Sequence, residues 1–114
     1  PLFLTEVNKG RISLEKVVQL CSENVAKHLQ IYPKKGAIAV GSDADLTIID
    51  MKKTKKLSAN GMYTKCGISN YENIEATGLP VYTIVRGQII MENGVVIGKP
   101  GQGKFVKPEL GVMA

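Results

Sequence analysis

Apolar positions recur at helical spacing over residues 14–29: Leu14, Val17, Val18, Leu20 and Cys21, then Val25, Ala26 and Leu29. Ser13 stands ahead of them as an N-cap, and Glu15 falls in the first turn, where a negative charge suits the helix dipole. Ser22 offers a second cap. Residues 13–30 therefore read as two consecutive helices or one kinked helix, with Cys21 on the packed face. Helices this short are not stable alone and must pack on a larger body. Before them, residues 1–12 give a short apolar start and a polar loop, Asn8-Lys9-Gly10-Arg11. Tyr32-Pro33 ends the helical part, because the residue before proline is pushed towards extended geometry.

After residue 33 the pattern changes to short apolar runs separated by turn residues. Residues 37–40 and 46–49 predict two strands joined by a tight acidic turn through Gly41, Ser42, Asp43, Ala44 and Asp45. The lysine run MKKTKK (51–56) reads as a solvated connection. Residues 57–75, with Gly61, Gly67, Ser69, Asn70 and Asn73, read as a long loop, which in a compact domain usually means function or contact with a partner. Residues 81–86 and 88–91 are strand-like, with Gly87 between them. Asn93-Gly94 is a strong two-residue hairpin signal, and residues 95–97 form the return strand. The Gly-, Pro- and Lys-rich residues 98–114 read as an extended tail. The sum is two helices, about five short antiparallel strands and a tail. Such a sheet leaves unpaired edges, which favours self-association.

A length of 114 residues allows one domain. With 5% aromatic residues and no Trp, its core must be aliphatic. No apolar run approaches the ~18–20 residues of a membrane span, and no signal-peptide pattern is present. The two cysteines, Cys21 and Cys66, lack CxxC spacing and read as reduced thiols of a cytoplasmic protein. The net charge of +5 raises the question of nucleic acid. The basic residues are scattered, however, without aromatic interleaving or a recognition helix, so no nucleic-acid partner is expected. The first residue is not Met and lies within an apolar segment, which suggests a piece of a longer protein.

Candidate chemistry is thin. Residues 98–104 match GxxxxGK, but a phosphate loop next needs Ser or Thr and a helix, and Phe105 follows. Asp43 and Asp45 lack the further acidic partners of a Ca²⁺ loop and read as turn-capping residues. His28 stands alone, so a zinc site cannot be assembled from this chain. Cys66 is preceded by Lys65 but has no arrangement that marks a nucleophile. The expected catalytic, cofactor-binding and metal-ligand sets are all empty.

Three segments together resemble a known family. They are Asn8-Lys9-Gly10-Arg11-Ile12-Ser13-Leu14 with Ser22-Glu23-Asn24-Val25-Ala26-Lys27, then PKKGAIAVGSDADL (33–46), then YENIEATGLPV (71–81) continuing to Val85-Arg86-Gly87 and GKPGQGKF (98–105). In this order they resemble the C-terminal end of cyclic amidohydrolases. The PxKGxIxxGxDADLxIxD pattern is shared across that superfamily. The last segment and its GKPGxGxF tail resemble the hydantoinase/dihydropyrimidinase branch more narrowly. Two departures stand out: Val25 replaces a Pro usual in the family, and NGMYTKCGI (60–68) lacks a His common in hydantoinases.

The resemblance implies a mixed α/β fragment, with terminal barrel helices followed by antiparallel strands of the accessory β-sandwich of a metal-dependent (β/α)₈ hydrolase. It implies that residues 1–32 end the barrel, residues 33–98 belong to the sandwich (composite) domain, and residues 99–114 form a tail reaching a neighbouring subunit. It further implies a parent enzyme that opens the ring amide of hydantoins or dihydropyrimidines with a hydroxide activated by two divalent metals, zinc being the expected ion. The ligands would lie in the missing N-terminal part of the parent, which is this chain's implied partner, and the fragment alone would be inactive. A dihydroorotase or allantoinase fragment and a non-catalytic dihydropyrimidinase-related scaffold are the alternatives.

Overall fold

The computed structural model describes residues 1–109. Helix α1 (Leu2–Asn8) opens the chain. Helix α2 (Leu14–Val18) runs through a π-helical turn (Gln19–Glu23) into α3 (Asn24–His28). Strands β1 (Leu46–Lys56), β2 (Glu75–Val85), β3 (Gln88–Glu92) and β4 (Val95–Val96) follow. They form one four-stranded antiparallel sheet in the order β1-β2-β3-β4.

The helical reading of residues 13–30 holds as a single rod. The Ser13 side chain accepts the Lys16 N–H at 3.1 Å, as its place before the apolar run predicts. Ser22 does not cap a second helix, because it lies inside the π turn. The π turn alters the register of the apolar stripe, and Cys21 is exposed rather than packed. Residues 1–12 are also more ordered than their sequence suggests. Leu4 and Thr5 give α1 a buried face, and Pro1 supplies no side-chain cap that would have announced the helix.

Residues 37–40 do not form a strand. They lie in a loop whose ends are pinned together: the Ser42 hydroxyl donates to the Pro33 carbonyl (2.7 Å) and the Asp43 N–H to the Lys34 carbonyl (2.9 Å). This closure turns residues 37–40 outward, with Ile38 90% and Val40 109% exposed. The lysine run, by contrast, is strand. It continues β1, pairing Thr54, Lys55 and Lys56 with Thr77, Ala76 and Glu75. A bulge between Asp50 and Thr54 makes this possible, with Asp50 Oδ1 accepting the N–H groups of Lys52 (2.9 Å) and Lys53 (3.2 Å). Four strands thus replace the five expected.

The remaining strands follow their turn chemistry. Asn93 (φ 48°) and Gly94 (φ 84°) join β3 to β4, and Arg86 (φ 46°) and Gly87 (φ 78°) join β2 to β3. Both are two-residue connections with positive φ at both positions, whose twist suits a hairpin. Pro80 sits inside β2, beside a register shift where its missing N–H is tolerated. The long 57–74 loop is confirmed and closed at its base, Leu57 N–H to Ile74 carbonyl and Asn73 N–H to Leu57 carbonyl, both 2.8 Å. Among the described residues the buried apolar side chains are Leu4, Ala26, Ala76 and Leu79. They lie where α1 meets β2 and where α3 meets the 33–45 loop.

Candidate functional site

Three places gather polar side chains. The first is the acidic turn. Lys35 Nζ lies 2.8 Å from Asp43 Oδ2 and also holds Asp45 Oδ2. Asp45 Oδ1 accepts the Arg86 N–H at 2.8 Å, and the Gly87 N–H reaches the Ala44 carbonyl at 3.0 Å. The two carboxylates are therefore turn and capping groups, as expected, but they reach well beyond their own turn. Arg86 is a non-glycine residue at positive φ, a backbone conformation that costs energy. The bond from Asp45 helps to hold it there.

This cluster gives stability a defined pH dependence. Burial pushes the Asp45 carboxyl up, but Lys35 and the Arg86 N–H outweigh it and hold the group below the usual carboxylate range. Burial pushes Lys35 down, but Asp43 and Asp45 outweigh it and raise the ammonium. A carboxyl lowered by folding stabilises the fold above its unfolded pKa, about 4, and that stability is lost as pH falls through the folded value. A raised ammonium stabilises fully below its unfolded value, about 10.4, and the contribution is lost as pH rises through the folded value. Asp45→Asn should therefore flatten the loss of stability below about pH 4 in urea unfolding. An acid limb identical to that of the unsubstituted chain would remove Asp45 from this role.

The second place is the seam between α1 and β2. The Thr5 hydroxyl accepts the Thr77 N–H at 3.0 Å and lies 3.1 Å from the Pro1 carbonyl and 3.3 Å from that of Thr77, to one of which it donates. Asn8 Nδ2 faces the carbonyls of Met51 (3.0 Å), Thr77 (3.1 Å) and Leu4 (3.2 Å). Two side chains of α1 thus satisfy backbone groups beside the β1 bulge. Gly78, at φ 94°, lets the helix approach: a Cβ there would lie 2.8 Å from Leu4 Cβ.

The third is a cavity of about 400 Å³ between β3 and the tail, lined by Val85, Ile90, Val96, Pro100, Arg86 and Gln102 among others. Residues 98–104 form its wall. No helix follows them among the described residues, which fits their reading as bends rather than a phosphate loop. The Arg86 guanidinium donates to the Gln102 carbonyl, and Gln102 Nε2 donates to Gln88 Oε1 at 2.8 Å. The tail is thereby fastened to the β2–β3 turn. The walls are mainly aliphatic and carry no acid or base beyond Arg86 and Lys99.

The residues present do not fit a divalent metal centre. His28 is exposed and distant in sequence from the acidic turn, while Asp43 and Asp45 both face Lys35. Among the described residues no three His, Cys, Asp or Glu side chains gather as a ligand set. Cys66 is exposed in the 57–74 loop; the Thr64 hydroxyl 3.0 Å from its Sγ lowers the thiol from its ordinary value. Its other hydrogen-bond partner among the described residues is the Ile68 carbonyl, 3.4 Å from Sγ. Thr5, Asn8, Lys35 and Arg86, which organise these places, carried no local sequence signal. Their partners lie 72, 69, 10 and 16 residues away in the chain.

Residues 2–90 match the model of the amidohydrolase family. The L-hydantoinase of Paenarthrobacter aurescens is 44% identical over 107 residues, covering 93% of this chain and 23% of that protein. The dihydroorotase of Pyrococcus furiosus is 40% identical over 107 residues, covering 94% and 25%. The crystal structure of dihydropyrimidinase from Brevibacillus agri NCHU1002 superimposes with a TM-score of 0.87 at 34% identity, covering 94% of this chain and 23% of that one. The chain thus spans about a quarter of the length of these relatives.

Proposed function

Since the chain belongs to the amidohydrolase family, we propose that it is the carboxy-terminal segment of a longer cyclic-amide hydrolase of the hydantoinase and dihydropyrimidinase type. The observation that carries this reading is the 44% identity to an L-hydantoinase across nearly the whole chain. In this reading, residues 1–32 close the catalytic barrel, residues 33–98 contribute to the accessory sandwich and residues 99–114 are assigned to the tail, of which 110–114 lie outside the described residues. The parent reaction is hydrolysis of a ring amide. Its metal ions, zinc being the expected pair, and its proton-transfer groups belong to the remainder of the parent.

The segment's own work is architectural. It supplies a sheet joined to α1 through Thr5 and Asn8. The dihydroorotase likeness supports a second reading within the same reaction class, in which the parent ring is dihydroorotate.

A segment exchange tests both readings. This chain replaces the matching quarter of the P. aurescens L-hydantoinase and, separately, of the P. furiosus dihydroorotase. The hydantoinase chimera should retain turnover within about tenfold of its parent, as expected when no reacting contact is exchanged, while the 114-residue chain alone turns over neither substrate. A folded, metal-loaded hydantoinase chimera without activity sinks the first reading. Activity confined to the dihydroorotase chimera establishes the second.

A further inference from the structure

Residues 98–109 land twice on their own chain. The first landing is Gln102. Its Nε2 donates to Gln88 Oε1 at 2.8 Å, its Oε1 accepts the Lys99 N–H, and its carbonyl accepts the Arg86 guanidinium. Its own N–H reaches the Lys99 carbonyl at 3.4 Å. Each polar atom of this half-buried glutamine is thus partnered within the chain. Gly98 makes the approach possible, because an added Cβ would lie 3.1 Å from Ile90 Cβ and 3.2 Å from Gln102 Oε1. Arg86 is held in turn by Asp45, which accepts its N–H at 2.8 Å. The second landing lies just past α3. There the Glu109 N–H donates to the Gln30 carbonyl at 2.9 Å. Val106 is half-buried and shares a cleft with Ile31, Tyr32 and Pro33. Residues 103–105, between the two landings, are exposed.

We propose that residues 98–109 are an intrachain strap that ties the β2–β3 turn to the end of α3, and that the tail reaches no neighbouring subunit before Glu109. Departure before Gln102 would give up the whole set of Arg86, Gln88 and Lys99 bonds. Departure between Gln102 and Glu109 would give up the bond to Gln30 and uncover Val106. The strap joins the helical part of the chain to its sheet by a route separate from the α1–β2 seam. The inference rests on contacts within this chain and stands whatever ring the parent opens.

The test uses the full 114-residue chain in a Cys21→Ser, Cys66→Ser background. Gln30→Cys with Glu109→Cys, treated with a short bis-maleimide, should give a crosslinked monomer. The same pair in the hydantoinase chimera should crosslink within one subunit. Chains carrying one of these cysteines each should not crosslink to one another when mixed. A covalent dimer from the mixture, or no crosslink in the double variant, overturns the strap. Gln102→Ala probes the first landing. Lys99 and Lys107 precede proline, so Lys104–Phe105 is the tryptic bond of the strap. Cleavage there should rise about tenfold, the size of one or two net hydrogen bonds when proteolysis follows local opening, with cleavage at Lys16 unchanged. An unchanged rate at Lys104, or an equal rise at Lys16, overturns it as well.

Discussion

Gly78→Ala should lower the unfolding free energy by about 2–4 kcal/mol, the combined size of overpacking and positive-φ strain. The new methyl would meet Leu4 Cβ at 2.8 Å and Asn8 Nδ2 at 3.2 Å, and neither neighbour can yield freely. Leu4 is buried, and Asn8 is held over the Met51 and Thr77 carbonyls. Pushing α1 away would also stretch the Thr5–Thr77 bond. Gly41→Ala separates the two causes, because Gly41 has nearly the same φ (92° against 94°) and nothing within 4 Å of its added Cβ. It should cost only about 1 kcal/mol, the backbone part alone. Urea unfolding followed by far-ultraviolet dichroism measures both. Equal losses for the two variants would mean that close approach of α1 is not what Gly78 provides.

Gly36→Ala should be at least as damaging, again about 2–4 kcal/mol. At φ 80° its Cβ would fall 2.6 Å from Ala26 Cβ, 3.0 Å from the Ser22 carbonyl oxygen and 3.3 Å from Glu23 Cα. Two of these three are helix backbone, so relief requires the 33–45 loop to leave the helix. That loop carries Lys35, and its displacement would also loosen Asp43 and Asp45. The loss should therefore come with a weaker acid dependence, as in Asp45→Asn. Gly61→Ala, at φ 85° with open space around it, is the matched control. A Gly36→Ala loss no larger than that control would show that the loop does not rest on α3.

These two glycines show where sequence reading reaches its limit. The helix over residues 14–28 was legible because Ser13 and the apolar spacing are local signals. The β3–β4 turn was legible because Asn93-Gly94 supplies its own positive φ. By contrast, α1 forms because Leu4 and Thr5 find β2, a contact more than 70 residues away in sequence. The lysine run becomes strand because Asp50 bulges the chain and lets β2 continue beside it, against the polarity of its side chains. Residues 37–40 look like a strand by composition, yet closure of the loop at Pro33 and Lys34 directs them outward. In each case a long-range or bulge-dependent contact overrode local preference.

The base of the 57–74 loop is fixed by the sheet and by two hydrogen bonds of 2.8 Å between its first and last residues. Its closure is thus settled before its interior is considered. For a flexible closed loop, doubling the length adds only about 0.6 kcal/mol of entropy. Insertions and deletions between Asn60 and Tyr71, inside the further bond from the Ala59 N–H to Glu72 Oε2 (2.7 Å), are therefore nearly neutral for the sheet. Here evolution can change the length of the chain, and with it the outer contour of the molecule, without renegotiating the packing beneath.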